Sequence, residues 1–429
     1  MLEDKPTLYA IDFGTSNSLL CGVNARAVDE PLALDATASD ASVFRSILFF
    51  SETNEWHFGA SALERYVAEG MRGRFLRSLK RFLPMPSFEE TRIGSKAVRL
   101  EELIGIFLRE MRTRANAHYG TDVRRALFGR PARFSESDEN DALAETRLEA
   151  AANFAGFDEV HFCPEPLAAA YDFRSRLTEP KVVLVADFGG GTSDYTVVRL
   201  APGEDQVDED RVEVLALGGV SLAGDALDGA IMRHKVSRHF GSQVKYRVPF
   251  GSNVLSMPRP LMDALCSPAE TCLLAQRDIM SFLRDIRSGS LGPDDKRHVD
   301  QLLCLVEDSL GFQIFETIEH AKRELSDRET TRLLFDYPGI ELDEPLARAE
   351  FRDFSSPQVD AILASLDRTL SQSGLAAGDI DLVCCTGGTA RVAALAEGIQ
   401  ARFGAEKLVR LRSLHSVIQG LGQRARSLA

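Results

Sequence analysis

The chain of 429 residues carries 50 Lys and Arg against 64 Asp and Glu, a formal charge of −14, and 44% of it is hydrophobic. A single core stops growing well below this length, so two lobes of roughly 200 residues are expected, each with a core of its own. Basic residues interspersed among acidic ones exclude a phosphate-backbone footprint, and hence nucleic acid as a partner, and no apolar run approaches the roughly 20 residues that cross a bilayer.

The N-terminal stretch "MLEDKPTLYAID" lacks the basic and apolar regions of a leader, so a cytoplasmic protein without membrane contact is expected. Two β-prone runs, "TLYAID" and "SLLCGV", are separated by "FGTSN" and predict a hairpin over residues 7–23. "RALFGRPARF" (125–134) reads as a strand and its exit, "ENDALAETRLEAAANFAGF" (139–157) as a helix, and "CPEPLAAAYDF" (163–173) as a Pro-led helix. A second hairpin follows, "KVVLVAD" and "DYTVVRL" joined by "FGGGTS". "RVEVLALGG" predicts a strand and "AGDALDGAIMRHKVSRHFG" a Gly turn opening a helix.

Residues 241–262, with Pro249, Pro258 and Pro260, read as loop. Helical stretches follow over 269–288 and 294–326, the second too long to lack a break, then a strand at "TRLLFD" and a helix over 356–374. "DIDLVCCTGG" is a buried strand ending in glycines, followed by the helices "ARVAALAEGIQARFG" and "HSVIQGLGQRARS". The seven cysteines are odd in number and show no Cys-x-x-Cys spacing, so they are expected to be small buried hydrophobes rather than a disulfide or zinc framework.

Each hairpin ends an apolar strand on an aspartate, Asp12 or Asp187, and then turns through Gly, Thr and Ser. That sets a carboxylate beside outward-facing backbone amides, and amides of this kind cradle phosphate oxygens while such carboxylates hold a hydrated magnesium ion. One Asp-Phe-Gly turn is ordinary turn chemistry. Two matched ones suggest a duplicated fold that grips one polyphosphate from both sides. "ETIEHAKRELS" places Glu319, Lys322, Arg323 and Ser326 at i, i+3, i+4 and i+7 on one helical face, where a guanidinium can stack on a purine and the other charges can meet ribose hydroxyls. The bland alternative is a solvated charged face. "CTGGTARV" adds a strand, the Gly387–Gly388 turn and Arg391 at a helix start.

In this order the motifs resemble the nucleotide-binding domain of the DnaK-type, or heat shock protein 70, chaperones, within the actin-like ATPase superfamily. "IDFGTSNS" is similar to the first phosphate motif, "GRPARF" and "PEPLAAAY" to the first connecting segment, and "DFGGGTSDYTVV" to the second phosphate motif; "AGDALD", "IEHAKRELS", "ARAEF" and "CTGGTARV" follow in the family's order. The resemblance runs from about residue 7 to 422 and weakens over 35–125 and 240–312.

The resemblance implies an α/β, actin-like ATPase fold of duplicated ribonuclease-H-like lobes with a nucleotide cleft between them. Lobe I would be 1–185, with a small subdomain at about 36–115, and lobe II 186–429, with a small subdomain at about 229–312 and a C-terminal helix crossing back to lobe I. ATP or ADP with Mg2+ would be the cofactor. Gly14, Thr15, Ser16 and Asn17 would face Gly189, Gly190, Gly191 and Thr192 across the phosphates. Asp12 and Asp187 would hold magnesium mainly through water, Asp194 would be a further carboxylate, and Glu165 would position or deprotonate the attacking water. Gly224, Glu319, Lys322, Arg323, Ser326, Gly387, Gly388, Thr389 and Arg391 would bind adenosine, and Pro131 would relay the nucleotide state.

Three departures qualify this. The family's phosphate-contacting lysine lies shortly after a glycine in lobe I, where "FGASALERY" aligns Leu63, which cannot stabilise transition-state charge; Arg65, Arg72, Arg74 or Lys80 would have to serve. ATP binding is therefore better supported than hydrolysis. The chain stops at Ala429 with no peptide-binding domain, as in the short nucleotide-binding-domain-only (YegD-type) members. The 241–312 stretch is longer than the family's small subdomain. The leading expectation is an ATP-binding, chaperone-related conformational switch that signals to a protein partner or co-chaperone. A non-hydrolysing scaffold or filament protein like the bacterial actins, which share the fold and lack this lysine, is the rival. A sugar or metabolite kinase is the third reading, without an evident acceptor site.

Overall fold

The computed structural model describes residues 5–38, 40–69, 72–135, 137–174, 177–202, 212–248, 253–410 and 415–429. Pro249 and the side chain of Cys272 lie outside the described residues.

Two five-stranded sheets carry the molecule. The first contains β1 (Leu8–Phe13), β2 (Asn17–Val23), β3 (Phe44–Arg45), β4 (Arg125–Arg130) and β5 (Glu159–Pro164), in the order β5-β4-β1-β2-β3. The second contains β6 (Lys181–Phe188), β7 (Ser193–Leu200), β8 (Val212–Val220), β9 (Leu382–Thr386) and β10 (Leu408–Arg410), in the order β10-β9-β6-β7-β8. In each, the first three strands pair antiparallel and the last two run parallel to the first. The same order and the same mix of directions appear twice, which is the duplicated ribonuclease-H-like topology of the actin-like ATPase fold.

The central strands are apolar because both faces are covered: Leu8, Tyr9, Ala10 and Ile11 of β1 have no exposed surface, and neither have Val183 to Ala186 of β6. Helices α1 (Gly59–Ala68), α2 (Leu100–Tyr119) and α3 (Asp138–Phe154) lie between β3 and β5 in sequence, and α4 (Glu165–Arg174) follows β5 directly. One apolar cluster contains Leu8, Ala10 and Cys21 of the first sheet, Val183, Val185 and Val198 of the second, Ala168 to Ala170 of α4, and Val417, Ile418 and Leu421 of the helix His415–Ala425.

By its internal contacts the chain forms two compact units, one of residues 1–223, 361–390 and 396–429 and one of residues 224–360 and 391–395. Both five-stranded sheets belong to the first. The second opens with α5 (Gly224–Ile231) and includes α6 (Gly311–Asp327) and the hairpin of Thr330–Tyr337 with Ile340–Ala347.

Several local expectations meet the structure differently. The stretch read as loop over 241–262 contains a hairpin, Lys245–Arg247 with Val254–Ser256, and the start of a helix, Arg259–Leu265. Pro258 and Pro260 sit at that helix's N-cap and second position, where a missing amide costs nothing. The expected break in 294–326 falls between Glu307 and Gly311, where Ser309 takes a left-handed φ of 55°. Over 269–288 the α-helix is confined to Arg277–Gly289, after a 3-10 turn at Thr271–Ala275. The helix Arg348–Gln372 runs unbroken through Pro357, and Ser356 Oγ donates to the Asp353 carbonyl that the proline cannot serve (2.9 Å).

Candidate active site

The site grows from the two hairpin tips. In the first, Asp12 pairs with Leu19 and Phe13 with Ser18, leaving Gly14, Thr15 and Ser16 to turn the chain. A Cβ on Gly14 would fall 2.1 Å from the Asn17 carbonyl oxygen, so only glycine closes this turn. In the second, Asp187 pairs with Asp194 and Phe188 with Ser193, and Gly189 N donates to Thr192 O (3.0 Å). The tips approach each other closely: a Cβ on Gly191 would stand 3.2 Å from Thr15 Oγ1. Beside them opens a cavity of about 340 Å³, lined by Thr15, Lys80, Pro131, Gly191, Thr192 and Ser221 among others.

A third turn joins the second tip. Gly387, at φ 82°, follows β9, and a Cβ there would lie 2.1 Å from the Phe188 carbonyl oxygen. Thr389 Oγ1 donates to Gly189 O (2.8 Å), and Thr386 Oγ1 donates to Asp187 Oδ1 (2.5 Å). Asp194 is buried and accepts from the amide of Ala132, next to Pro131 (2.8 Å).

Glu165 caps the chemistry from the other sheet, at the start of α4, where β5 ends. The lysine it meets is Lys80. Its Nζ lies 2.5 Å from Glu165 Oε1, and both side chains are at most 10% exposed. This corrects the alignment on Leu63, which sits half-buried on α1. Lys80 follows the strand Arg74–Arg77, from which the chain passes through Ser78, at a left-handed φ of 56°, into a 3-10 turn Leu79–Phe82. No local signal marks it: in "RSLKRFL" the lysine stands near Arg77 and Arg81 like any other basic residue.

The electrostatics are those of a crowded acidic site. Burial, then the neighbouring Glu165, push Asp187 up to about 6 and Asp194 to about 8, while the Thr386 hydroxyl and Lys80 pull Asp187 back. Asp12 is raised well above the ordinary carboxylate range, by burial and then Glu165. Burial works against the Lys80 ammonium, but Glu165 and Asp12 outweigh it and hold the lysine charged. Crowded with Glu165 around one lysine, Asp12, Asp187 and Asp194 thus hold their protons more tightly, and a hard divalent cation would displace them. Among the described residues no three His, Cys, Asp or Glu side chains stand close enough together to hold a metal directly. The carboxylate oxygens of Asp12, Asp187 and Asp194 are the hard donors that suit a cation such as magnesium.

Of the remaining sequence-stretch expectations, several fall in the second unit. There Lys322 on α6 is buried, 2.8 Å from Asp228 and 3.2 Å from the Gly224 carbonyl oxygen on α5. Glu319 and Arg323 share the α6 face at 4.0 Å, Arg323 is largely exposed, Ser326 is half-buried, and Arg391 lies 3.5 Å from Asp327. Gly388 has open space around its Cα. Ser16 is exposed, and Asn17 and Gly190 are half-buried at their turns.

Comparison with known proteins decides the family. The model of the Hsp70 protein family matches residues 87–249 and 306–421, more than half of the chain. The chain belongs to the Hsp70 family. Chaperone protein DnaK of Thermosipho melanesiensis is 25% identical over 437 aligned positions, covering 100% of this chain and 60% of the relative. Chaperone protein DnaK of Thermosipho africanus is 25% identical over 412 positions, covering 94% of this chain and 56% of the relative. This Hsp70 chain thus spans less than two thirds of the length of the relatives it matches. Among its described residues no helix is long and apolar enough to cross a membrane.

Proposed function

We propose that this Hsp70-family chain binds ATP and hydrolyses it slowly, and that the nucleotide state sets a conformation read by a protein partner. The observation that carries the reading is the buried Lys80–Glu165 pair among Asp12, Asp187 and Asp194, beside two facing phosphate-type turns.

The turn amides around Thr15 and Gly190 to Thr192 would hold the phosphate oxygens. Asp12 and Asp187 would carry magnesium through water, which supplies charge neutralisation at the phosphates. Glu165 orients the attacking water and takes its proton, while Lys80 holds Glu165 in place and meets the charge that develops on the transferred phosphoryl group. Thr386 keeps the Asp187 carboxylate turned toward the site. Glu319, Lys322, Arg323, Ser326, Arg391 and Gly224 are the adenosine contacts proposed in the second unit, and Gly387 to Thr389 those proposed in the first. Lys322 enters that role from its bond to Asp228. With Lys80 in the site, the missing lysine that made a non-hydrolysing scaffold attractive no longer supports that alternative.

Calorimetric titration of magnesium-ATP into the protein, with phosphate release followed in parallel, tests the reading. Micromolar or tighter binding weakened by Asp187→Asn, with release lost in Glu165→Gln, is expected. Binding without any release sinks the hydrolysis, and no binding sinks the whole proposal.

A further inference from the structure

We propose that Arg147, a residue outside every motif above, is a positioning residue that sets the place of Lys80; the inference rests on the reading of Lys80 as a phosphate-site lysine. Arg147 projects from the middle of α3 and is only 7% exposed. Its Nη1 lies 2.9 Å from the Met85 carbonyl oxygen, 3.1 Å from that of Leu83 and 3.4 Å from that of Phe82. Its Nε stands 3.4 Å from Glu101 Oε1, in the first turn of α2. A buried guanidinium balanced by one carboxylate thus gathers the carbonyls of Phe82, Leu83 and Met85 in the segment that carries Lys80.

That segment holds itself only in part. Pro84 and Pro86 supply no amide hydrogen, so the loop lacks two of its own donors while its carbonyls turn inward. The turn that presents Lys80 begins at Ser78, a non-glycine residue in the left-handed region, which surrounding contacts must impose. Leu83 N donates to Lys80 O (3.3 Å) and Met85 N to Phe82 O (3.0 Å), so the carbonyls that Arg147 holds and the Lys80 backbone move as one piece. The same piece lines the cavity through Lys80, Arg81, Pro84 and Met85. A fork-shaped, permanently charged donor is the side chain suited to several converging carbonyls, and a hydrophobe of equal length is not. Arg147 and Glu101 therefore connect the α2–α3 pair to the ammonium beside Glu165.

The test uses a readout that needs no ATPase. The nucleotide-free protein is treated with an amine-acylating reagent, and modification of Lys80 is followed by peptide mass spectrometry, with buried Lys322 of the second unit as internal control for general loosening. In Arg147→Met, acylation of Lys80 should rise several-fold while Lys322 stays at the wild-type rate, and Arg147→Lys should fall between. Phosphate release in single turnover should drop about tenfold at unchanged ATP affinity, as for a group displaced by a fraction of an ångström. In a Lys80→Met background the same change should cost nothing further. Unchanged Lys80 acylation, or a loss that adds to that of Lys80→Met, overturns the proposal. Should Arg147→Met fail to fold, the Arg147→Lys labelling decides alone. Should the wild type release no phosphate, the hydrolysis reading falls while the acylation result still stands for or against Arg147.

Discussion

The two sheets repeat one topology, yet the strand beside each aspartate does opposite things. In the second sheet Thr386 of β9 stands level with Asp187 and fastens its carboxylate with a hydroxyl. In the first sheet, where Ile11 pairs with Phe128, the next residue of β4 is Gly129, and its missing side chain is the space through which Glu165 passes: a Cβ there would lie 3.1 Å from Glu165 Cγ. One copy holds its acid still; the other makes room for a second acid. The insertions diverge likewise, since the segment between β3 and β4 delivers Lys80, whereas the one between β8 and β9 contains most of the second unit. The two sheets share one frame, and side chains at equivalent positions make them unequal; in the function proposed above, the second would anchor phosphates and the first would react them.

The sharpest way to break this comparison is Lys80→Met. Removing the buried cation that meets Glu165 should lower single-turnover phosphate release by about 10²–10³-fold while ATP affinity stays within about threefold. An equal fall in affinity would mean that the first sheet anchors as much as it reacts. Next, Thr386→Val deletes a hydrogen bond to a buried carboxylate, worth about 1.5–3 kcal/mol, and should weaken magnesium-ATP binding about tenfold or more. Gly129→Ala should do the reverse, lowering turnover about tenfold through a displaced Glu165 with affinity little changed. Calorimetry and rapid-quench kinetics on both variants decide whether the halves divide their labour as described.

The smallest effect is on stability. Asp187 and Asp194 keep their protons to about 6 and about 8 in the folded chain, against an ordinary 3.8, because they are buried beside Glu165. The folded state therefore binds more protons than the unfolded one between these values, so its stability falls as pH rises through them. Melting in a chelating buffer should show Tm falling from about pH 5 to 8. Asp194→Asn should flatten the upper part of that slope, and a Tm that rises over this range would mean the acids are ionised and paired in some other way.

What the amino-acid order made legible was whatever rests on local chemistry. Both hairpins were readable because an apolar strand, an aspartate and a glycine turn are all sequence-local, and Gly14 and Gly387 are glycines for steric reasons that leave a visible mark. Glu165 was legible only through the resemblance of "PEPLAAAY" to the family's connecting segment, and nothing in the local pattern beyond a helix start marks it. Lys80 was not, because its place depends on contacts far along the chain: Glu165 is 85 residues away and Arg147 holds the loop from α3. The left-handed residue that turns the chain toward the site is a serine, so no glycine flagged it. The stretch 241–262 misled because proline was read as a breaker where it starts a helix. Arg147 carried no motif at all; on α3 it looks like one more helical charge until its burial is seen.

The shared apolar cluster has a consequence for how the chain comes together during synthesis. Cys21 on β2 meets the carbonyl of Ile418 on the helix His415–Ala425, 397 residues later, and Gly420 of that helix packs so tightly on α4 that a Cβ would sit 1.7 Å from the Ala168 carbonyl oxygen. The hairpin of β1 and β2 therefore cannot complete its hydrophobic face until the helix His415–Ala425 has emerged, with Ile418 lying 397 residues past Cys21. At about 5–20 residues per second that is a wait of tens of seconds with an apolar strand pair uncovered, long enough for any factor at the ribosome exit to find it.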